Sequence, residues 1–287
     1  MSEQNPICVS VINMKGGVGK TTIAAHLCHE AYKRKMNVLA VDLDPQANLS
    51  QSLMGGVDYK KFLDNNDPSI VDLFKGFHPP DSEHGTPREI HKNDVLKKVR
   101  PFFHKDILFD LIPSRFDFSK FLIKSIGSNE FILAEFISKN GGDYDVIFID
   151  CAPTESLLTR TAYHASRYVL VPVKPEFLAT IGFPLLRVSL NKFKSANKTH
   201  RIDVCGVVIN NQAEYVDNNE KLESREQIMS DAGKNEWSVY NTELSYSRGY
   251  PKSLRQGRSL ANTHCPGTKA VVEFPKFAKD FFGSIGL

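Results

Sequence analysis

Cysteine is sparse in this chain: five in 287 residues (Cys8, Cys28, Cys151, Cys205 and Cys265), with no C-x-x-C pair among them. An odd, scattered set of this kind excludes a disulfide framework and a zinc ribbon, and fits a reducing cytoplasm. No run approaches the ~20 apolar residues of a membrane span. The N-terminal "MSEQNPICVSVIN" lacks a basic segment followed by an apolar one, so no secretory signal is expected. An excess of one charge is also missing. The net charge of +3 permits a local basic patch for nucleic acid but does not demand one. No internal repeat is visible. Hydrophobic residues make up 41% of the chain, enough for a sizeable core without covalent staples.

One further absence is local. A common phosphate-binding loop reads G-x-x-x-x-G-K-[ST]. In "VINMKGGVGKTTIAAHL" (11–27) Gly19, Lys20 and Thr21 fill the last three places, but Met14 stands where the first glycine belongs. Lys15 beside it is a second lysine in the same loop.

What is present is an alternation of short Val/Ile-rich runs with helical periodicity. "ICVSVIN" (7–13), "VLAVDLD" (38–44), "DVIFIDC" (145–151), "YVLVPV" (168–173) and "DVCGVVIN" (203–210) read as strands. Helical patterns fall at 21–35 and near 129–140, 155–166, 181–196 and 219–232. Near-continuous apolar strands with helical crossovers predict an α/β fold, a doubly wound and mostly parallel sheet flanked by helices, with ligands at the carboxyl ends of the strands. Residues 1–287 are read as a single domain. Residues 55–105, with "GFHPPDSEHGTP" and a basic run, read as a loop-rich, mobile insertion with some helix.

Strand, glycine-rich turn and helix are the context that a phosphate loop needs. Backbone N–H groups of Gly16, Gly17, Val18, Gly19 and Lys20 form a nest for an anion, and the helix from Thr21 adds the partial charge of its N-terminus. In this reading Lys20 bridges the β- and γ-phosphates, the Thr21 hydroxyl ligates Mg²⁺, and Thr22 donates to the α-phosphate. Asp150, ending an apolar strand, is the second metal anchor. Strand alternation puts Asp42 and Asp44 on one side. Asp44, at the strand tip before Pro45, is assigned to position the attacking water. Asp42 is read as a structural partner of a helix N-terminus or of Lys20.

Lys15 lies at the outer lip of the loop, where Lys20 already serves the same phosphates. It either sits solvated on the surface or reaches across a two-fold axis to a partner's nucleotide, as a charge donated in trans. In the second case ATP joins two copies and hydrolysis loosens them.

"KGGVGKTT" resembles the deviant loop of the ParA/MinD ATPases, whose mark is the extra lysine, here Lys15. "VDLDPQAN" and "DYDVIFIDCAP" resemble that family's aspartate motifs, and "YVLVPVKPEFLATIGF" is similar to the segment that follows in ParA-type members. The resemblance runs over 7–54 and 143–211. It implies an ATP-sandwich homodimer with Lys15 acting in trans, ATP and Mg²⁺ as cofactors, a weak ATPase stimulated by a ParB-like activator, and support of hydrolysis by Asp44. It also implies an adenine contact from Asn210, non-specific DNA binding in the ATP state, and a cytoplasmic, nucleoid-associated protein that positions plasmid, chromosome or other cargo. The chain departs from the pattern in "YNTELSYSRGYPKSL", where the proline expected after the last strand is shifted to Pro251.

Two stretches are basic and free of acid. Within 187–201, Lys192, Lys194, Lys198 and Arg201 are candidates for phosphate contacts. Within 247–258, a helix would align Lys252, Arg255 and Arg258 on one side. In both, the same residues equally describe a solvated helix face. The C-terminal "FPKFAKDFFGSIGL" repeats phenylalanine at helical spacing with a poor basic face, so core packing is expected in preference to a membrane anchor. The alternatives are a MinD-like membrane-associated regulator and a phosphotransferase or ligase acting on a metabolite.

Overall fold

The structure is a computed structural model that describes residues 5–75, 95–99, 104, 106–119, 130–175, 179–211, 218–263 and 269–287. Among them one sheet of eight strands runs through the molecule. The strands are β1 (Ile7–Val11), β2 (Val38–Asp42), β3 (Lys97–Lys98), β4 (Phe109–Ile112), β5 (Val146–Asp150), β6 (Tyr168–Val173), β7 (Asp203–Asn211) and β8 (Leu244–Ser245). Their order is β3-β4-β2-β5-β1-β6-β7-β8, parallel throughout except for β3 against β4.

Two helical layers cover the sheet because its strands are apolar on both sides. On β5, Val146 and Phe148 join one core while Ile147 and Ile149 join the other. The period of two in side-chain direction produces this split. One layer holds α1 (Lys20–Lys33), α2 (Asn48–Met54), α9 (Gly249–Arg255) and the C-terminal α10 (Ala270–Ser284). The other holds α4 (Ile70–Lys75), α5 (Ile132–Asn140), α6 (Leu157–Ala165), α7 (Ala179–Ala196) and α8 (Asn218–Lys234). In α10, Phe274, Phe277, Phe281 and Phe282 are all buried against the sheet and α1, as the spacing predicts. No helix of the described residues is long and apolar enough to cross a membrane.

Two features add to what the sequence suggests, and one expectation is corrected. Strand β4 does not stand out in the sequence, because its four residues include Asp110. That carboxylate is buried and accepts a hydrogen bond from Tyr144 at 2.8 Å. The segment 55–105 is more helical than its composition suggests. Helix α3 (Gly56–Asp64) and α4 fill its first part, and β3 pairs with β4 at the sheet edge. The remainder, including 76–94 with the proline-rich run, lies outside the described residues. The correction concerns the 247–258 stretch. Helix α9 ends at Arg255 and the chain turns at Gly257, whose φ is 58°, so Arg258 does not continue the line of Lys252 and Arg255.

Helix α7 carries Pro184 in its first half, and α1 buries two histidines. The His26 ring lies 5.3 Å from the rings of both Tyr250 and Phe274, and the His29 ring stands edge-on to Phe109. Burial lowers their pKa values to about 3 and about 4.

This packing generates three predictions. Phe281→Ala removes a fully buried ring between α10 and β5 and should cost about 3–5 kcal/mol in urea unfolding. Liposome sedimentation of the intact chain should show no lipid binding, since the same rings are committed to the core. For His29, the neutral form is intact above about pH 6.5, where the unfolded chain is also neutral. Below that the unfolded chain takes up a proton that the folded chain refuses, so stability falls until the folded pKa near 4 is passed. His29→Leu should therefore gain on the wild type as pH drops from about 6.5 to 4, by at most about 1.4 kcal/mol per pH unit, read from urea midpoints.

Candidate functional site

Sheet register builds the site. Strand β5 lies between β1 and β2, pairing Asp150 with Val11 on one side and with Asp42 on the other. The glycine-rich loop between β1 and α1 therefore leaves the sheet beside two carboxylates, at the carboxyl ends of parallel strands. Two of the loop's glycines are required by backbone geometry. Gly17 and Gly19 have φ of 72° and 93°, and Gly19 caps α1 in the left-handed region. A Cβ added at Gly16 or Gly17 would meet nothing within 4 Å, so the turn is an open cradle over the first N–H groups of α1.

Both lysines belong to this loop, and one of them closes it. Lys20 is only 6% exposed, and its ammonium donates to the carbonyl oxygen of Lys15 at 3.0 Å. Burial lowers its pKa, and the charges of Asp150, Cys151 and Asp44 pull it back up. Lys15 itself is half-buried, and its backbone N–H donates to Asn13 Oδ1 at 2.9 Å. Thr21 and Thr22 follow in the first turn of α1, both half-buried.

The Thr21 hydroxyl donates to Asp150 Oδ2 at 2.6 Å. Asp150 is fully buried, and its Oδ1 has no hydrogen-bond partner. Burial, with Asp42 alongside, holds its pKa well above the carboxylate range, and the Thr21 hydroxyl and Lys20 offset that only in part. A buried, unpartnered carboxylate oxygen is costly. A hard divalent cation between Asp150 and Thr21 would satisfy it, so these residues fit Mg²⁺. No group of three or more His, Cys, Asp or Glu residues gathers around a metal position among the described residues. That suits an ion that keeps most of its ligands as water and phosphate oxygen.

Asp42 and Asp44 divide the roles expected of them. Asp42 accepts from the Ser50 backbone N–H at 2.8 Å and the Ser50 hydroxyl at 2.6 Å, both in the first turn of α2, and from the Asp44 N–H at 3.1 Å. It serves a helix N-terminus, and burial raises its pKa to about 7. Asp44, at the tip of the turn, accepts only the local Gln46 N–H at 2.9 Å among the bonds of its side chain described here.

Asn210 stands near the end of the long strand β7, where the sequence places it. It is 1% exposed and donates from Nδ2 to the Val18 carbonyl at 2.8 Å. Its amide thus holds the phosphate loop from the side, and its Oδ1 is buried without a partner. Sequence reasoning missed Asn13, which holds the other side of the loop. Its signal is only that a polar residue ends an apolar strand just before the glycines.

The basic candidates do not converge. Lys192, Lys198 and Arg201 are exposed on or just after α7. Lys194 shares Asp203 with Arg167, its ammonium 3.5 Å from the carboxylate, so its charge is partly neutralised. Lys252 and Arg255 are exposed on α9, which belongs to the opposite helical layer from α7.

Residues 7–203, well over half of the chain, match the AAA domain family. The chain belongs to this family of ParA/MinD-like ATPases. It is 30% identical over 207 residues to an uncharacterised protein of Methanocaldococcus jannaschii, covering 71% of this chain and 73% of the relative. It is also 30% identical over 190 residues to the chromosome-partitioning ATPase Soj of Treponema pallidum, covering 66% of this chain and 65% of that protein. In structure it resembles apo McdA of Cyanothece, with a TM-score of 0.74, 18% identity, and coverage of 96% and 99% of the two chains. A McdA variant solved as an ATP complex gives 0.72 at 18% identity and coverage of 98% and 95%. At such identities the likeness shows the shared fold alone.

In this ParA/MinD-like fold two buried carboxylates, Asp42 and Asp150, face each other at the sheet end, and such a pair costs stability. Asp150→Asn keeps an acceptor for Thr21 and removes a buried ionisable group. It should raise the melting temperature of the nucleotide-free protein at pH 8, read by differential scanning calorimetry.

Proposed function

We propose that this chain is a ParA-type ATPase that binds Mg²⁺-ATP in the loop between β1 and α1, closes into an ATP-sandwich homodimer, and binds DNA without sequence preference in that state. A ParB-like activator then stimulates hydrolysis and releases it, so that cargo such as a plasmid or chromosomal locus is positioned in the cytoplasm over the nucleoid.

The observation that carries this reading is the second lysine. Lys15 precedes an open glycine turn that already has a lysine of its own, Lys20, whose ammonium donates to the Lys15 carbonyl. The N–H groups of Gly16, Gly17, Val18, Gly19 and Lys20 hold the phosphates, with Lys20 on the β/γ oxygens and Thr22 on the α-phosphate. Thr21 and Asp150 hold Mg²⁺, which supplies charge neutralisation to the γ-phosphate. Asp44 orients the water in line with the bond that breaks. Lys15 supplies the missing charge to the partner's triphosphate, a contribution of the type worth roughly 10³–10⁵ in rate. Asn210, on the side of the loop, supports the adenine end. The DNA surface draws on the α7 stretch (Lys192, Lys194, Lys198, Arg201) or the α9 stretch (Lys252, Arg255, Arg258).

DNA retardation with ATP, with ADP and without nucleotide tests the reading. Binding should require ATP. Lys15→Gln should abolish both the dimer and DNA binding, and Asp44→Ala should keep the dimer while losing hydrolysis at least 100-fold. A Lys15→Gln protein that dimerises and binds DNA normally with ATP would remove the trans-lysine mechanism. Turnover that demands a small-molecule acceptor and ignores DNA would favour a phosphotransferase or ligase.

A further inference from the structure

Asn13 is 2% exposed and lies two residues past the end of β1. Its side-chain amide works in two directions. Nδ2 donates to the Pro172 carbonyl on β6 at 2.7 Å, while Oδ1 accepts the Lys15 N–H at 2.9 Å. One amide therefore ties the neighbouring strand to the backbone of the extra lysine. From above, α7 closes on it through Gly182. An ideal Cβ there would stand 2.6 Å from Asn13 Oδ1 and 3.6 Å from Lys15 Cβ. Glycine is unfavourable inside a helix, and no left-handed φ calls for it at this position. The close approach to Asn13 is what it permits.

The other loop groups are held by different means. Lys20, Thr21 and Thr22 belong to α1, whose first turn closes with Ile23 N–H on the Gly19 carbonyl at 2.9 Å and is pinned to β5 through Thr21 and Asp150. The Asn13 tie acts on the loop's entry, not on its helical half.

We propose that Asn13, with Gly182 leaving it room, is the positioning residue for Lys15. It fixes the backbone from which that side chain leaves the loop, and so sets whether its charge arrives at the partner's triphosphate. Asn13 acts through the backbone of Lys15, whose carbonyl also accepts from the Lys20 ammonium at 3.0 Å. The inference rests on the trans-lysine reading proposed above. It adds a control point within one protomer, where α7 bears on the loop.

The test uses the full chain as wild type, Lys15→Gln, Asn13→Ala, Gly182→Ala and the Asn13→Ala/Gly182→Ala double variant. Monomer affinity is titrated with a fluorescent ATP analogue and Mg²⁺ at low protein concentration. Dimerisation is measured by sedimentation velocity with Mg²⁺-ATP over a range of concentrations. Both single variants should weaken the dimer roughly 10- to 100-fold, the range typical of removing a group that orients a functional one. Monomer affinity should change less than about threefold, since the helical half of the loop is intact. The double variant should be no worse than the weaker single, because both act on one contact. Wild-type dimerisation in both single variants overturns the proposal. So does a loss of monomer affinity in parallel with the dimer, which would mean that Asn13 supports the whole loop. If Asn13→Ala does not fold, Gly182→Ala decides on the same two measurements. Normal dimerisation of Lys15→Gln, where Asn13 is untouched, removes the underlying reading instead.

Discussion

The hydrogen bond from the Thr21 hydroxyl to the Asp150 carboxylate joins the first turn of α1 to the end of the sheet's central strands, and the site depends on it. It is short, at 2.6 Å, and its acceptor is fully buried. Sheet register leaves Asp150 opposite Asp42, so two carboxylates share a low-dielectric corner with Lys20 as a nearby cation. Asp42 is accommodated by three donors from the turn and α2. Asp150 has one donor and one unanswered oxygen. The fold tolerates this imbalance where a cation is of use, a common arrangement at sites whose groups are shaped for a ligand rather than for stability.

The sequence was most legible where chemistry and pattern coincide along the chain. The loop from Lys15 to Thr22 is contiguous, and "VIFID" announces its own end: four apolar residues, then one carboxylate. A buried parallel strand read in this way delivers Asp150 to the sheet edge with no tertiary information. Asp42 was legible as a helix partner because a strand-end carboxylate two residues before Asp44 has a short list of donors. Strand β4 was hidden for the opposite reason. Its Asp110 is satisfied by Tyr144, which is 34 positions away, and no local rule anticipates that pairing. Asn13 and Gly182 belong to the same class. Each looks ordinary in its own segment, and their relation exists only after β6 and α7 have folded onto the loop. The Asn210 bond to Val18, spanning 192 positions, was equally out of reach.

Charge was the least legible property. Two acid-free stretches suggested basic surfaces, but strand β7 brings Asp203 to Lys194 and Arg167, and the two stretches sit on opposite layers of the sheet. A single protomer thus presents two separated basic edges. Exposed ion pairs of this type contribute little to stability, and their effect here is to redistribute potential over the surface.

Pro184 gives α7 a mechanical property of its own. Lacking an N–H, it cannot bond the carbonyl four residues earlier, so the opening turn of the helix is joined to the remainder by one link fewer. That turn is the part containing Gly182. The long helix is therefore a rod with a softened tip, while Leu186, Leu190 and Phe193 beyond the proline hold the remainder to the layer beneath.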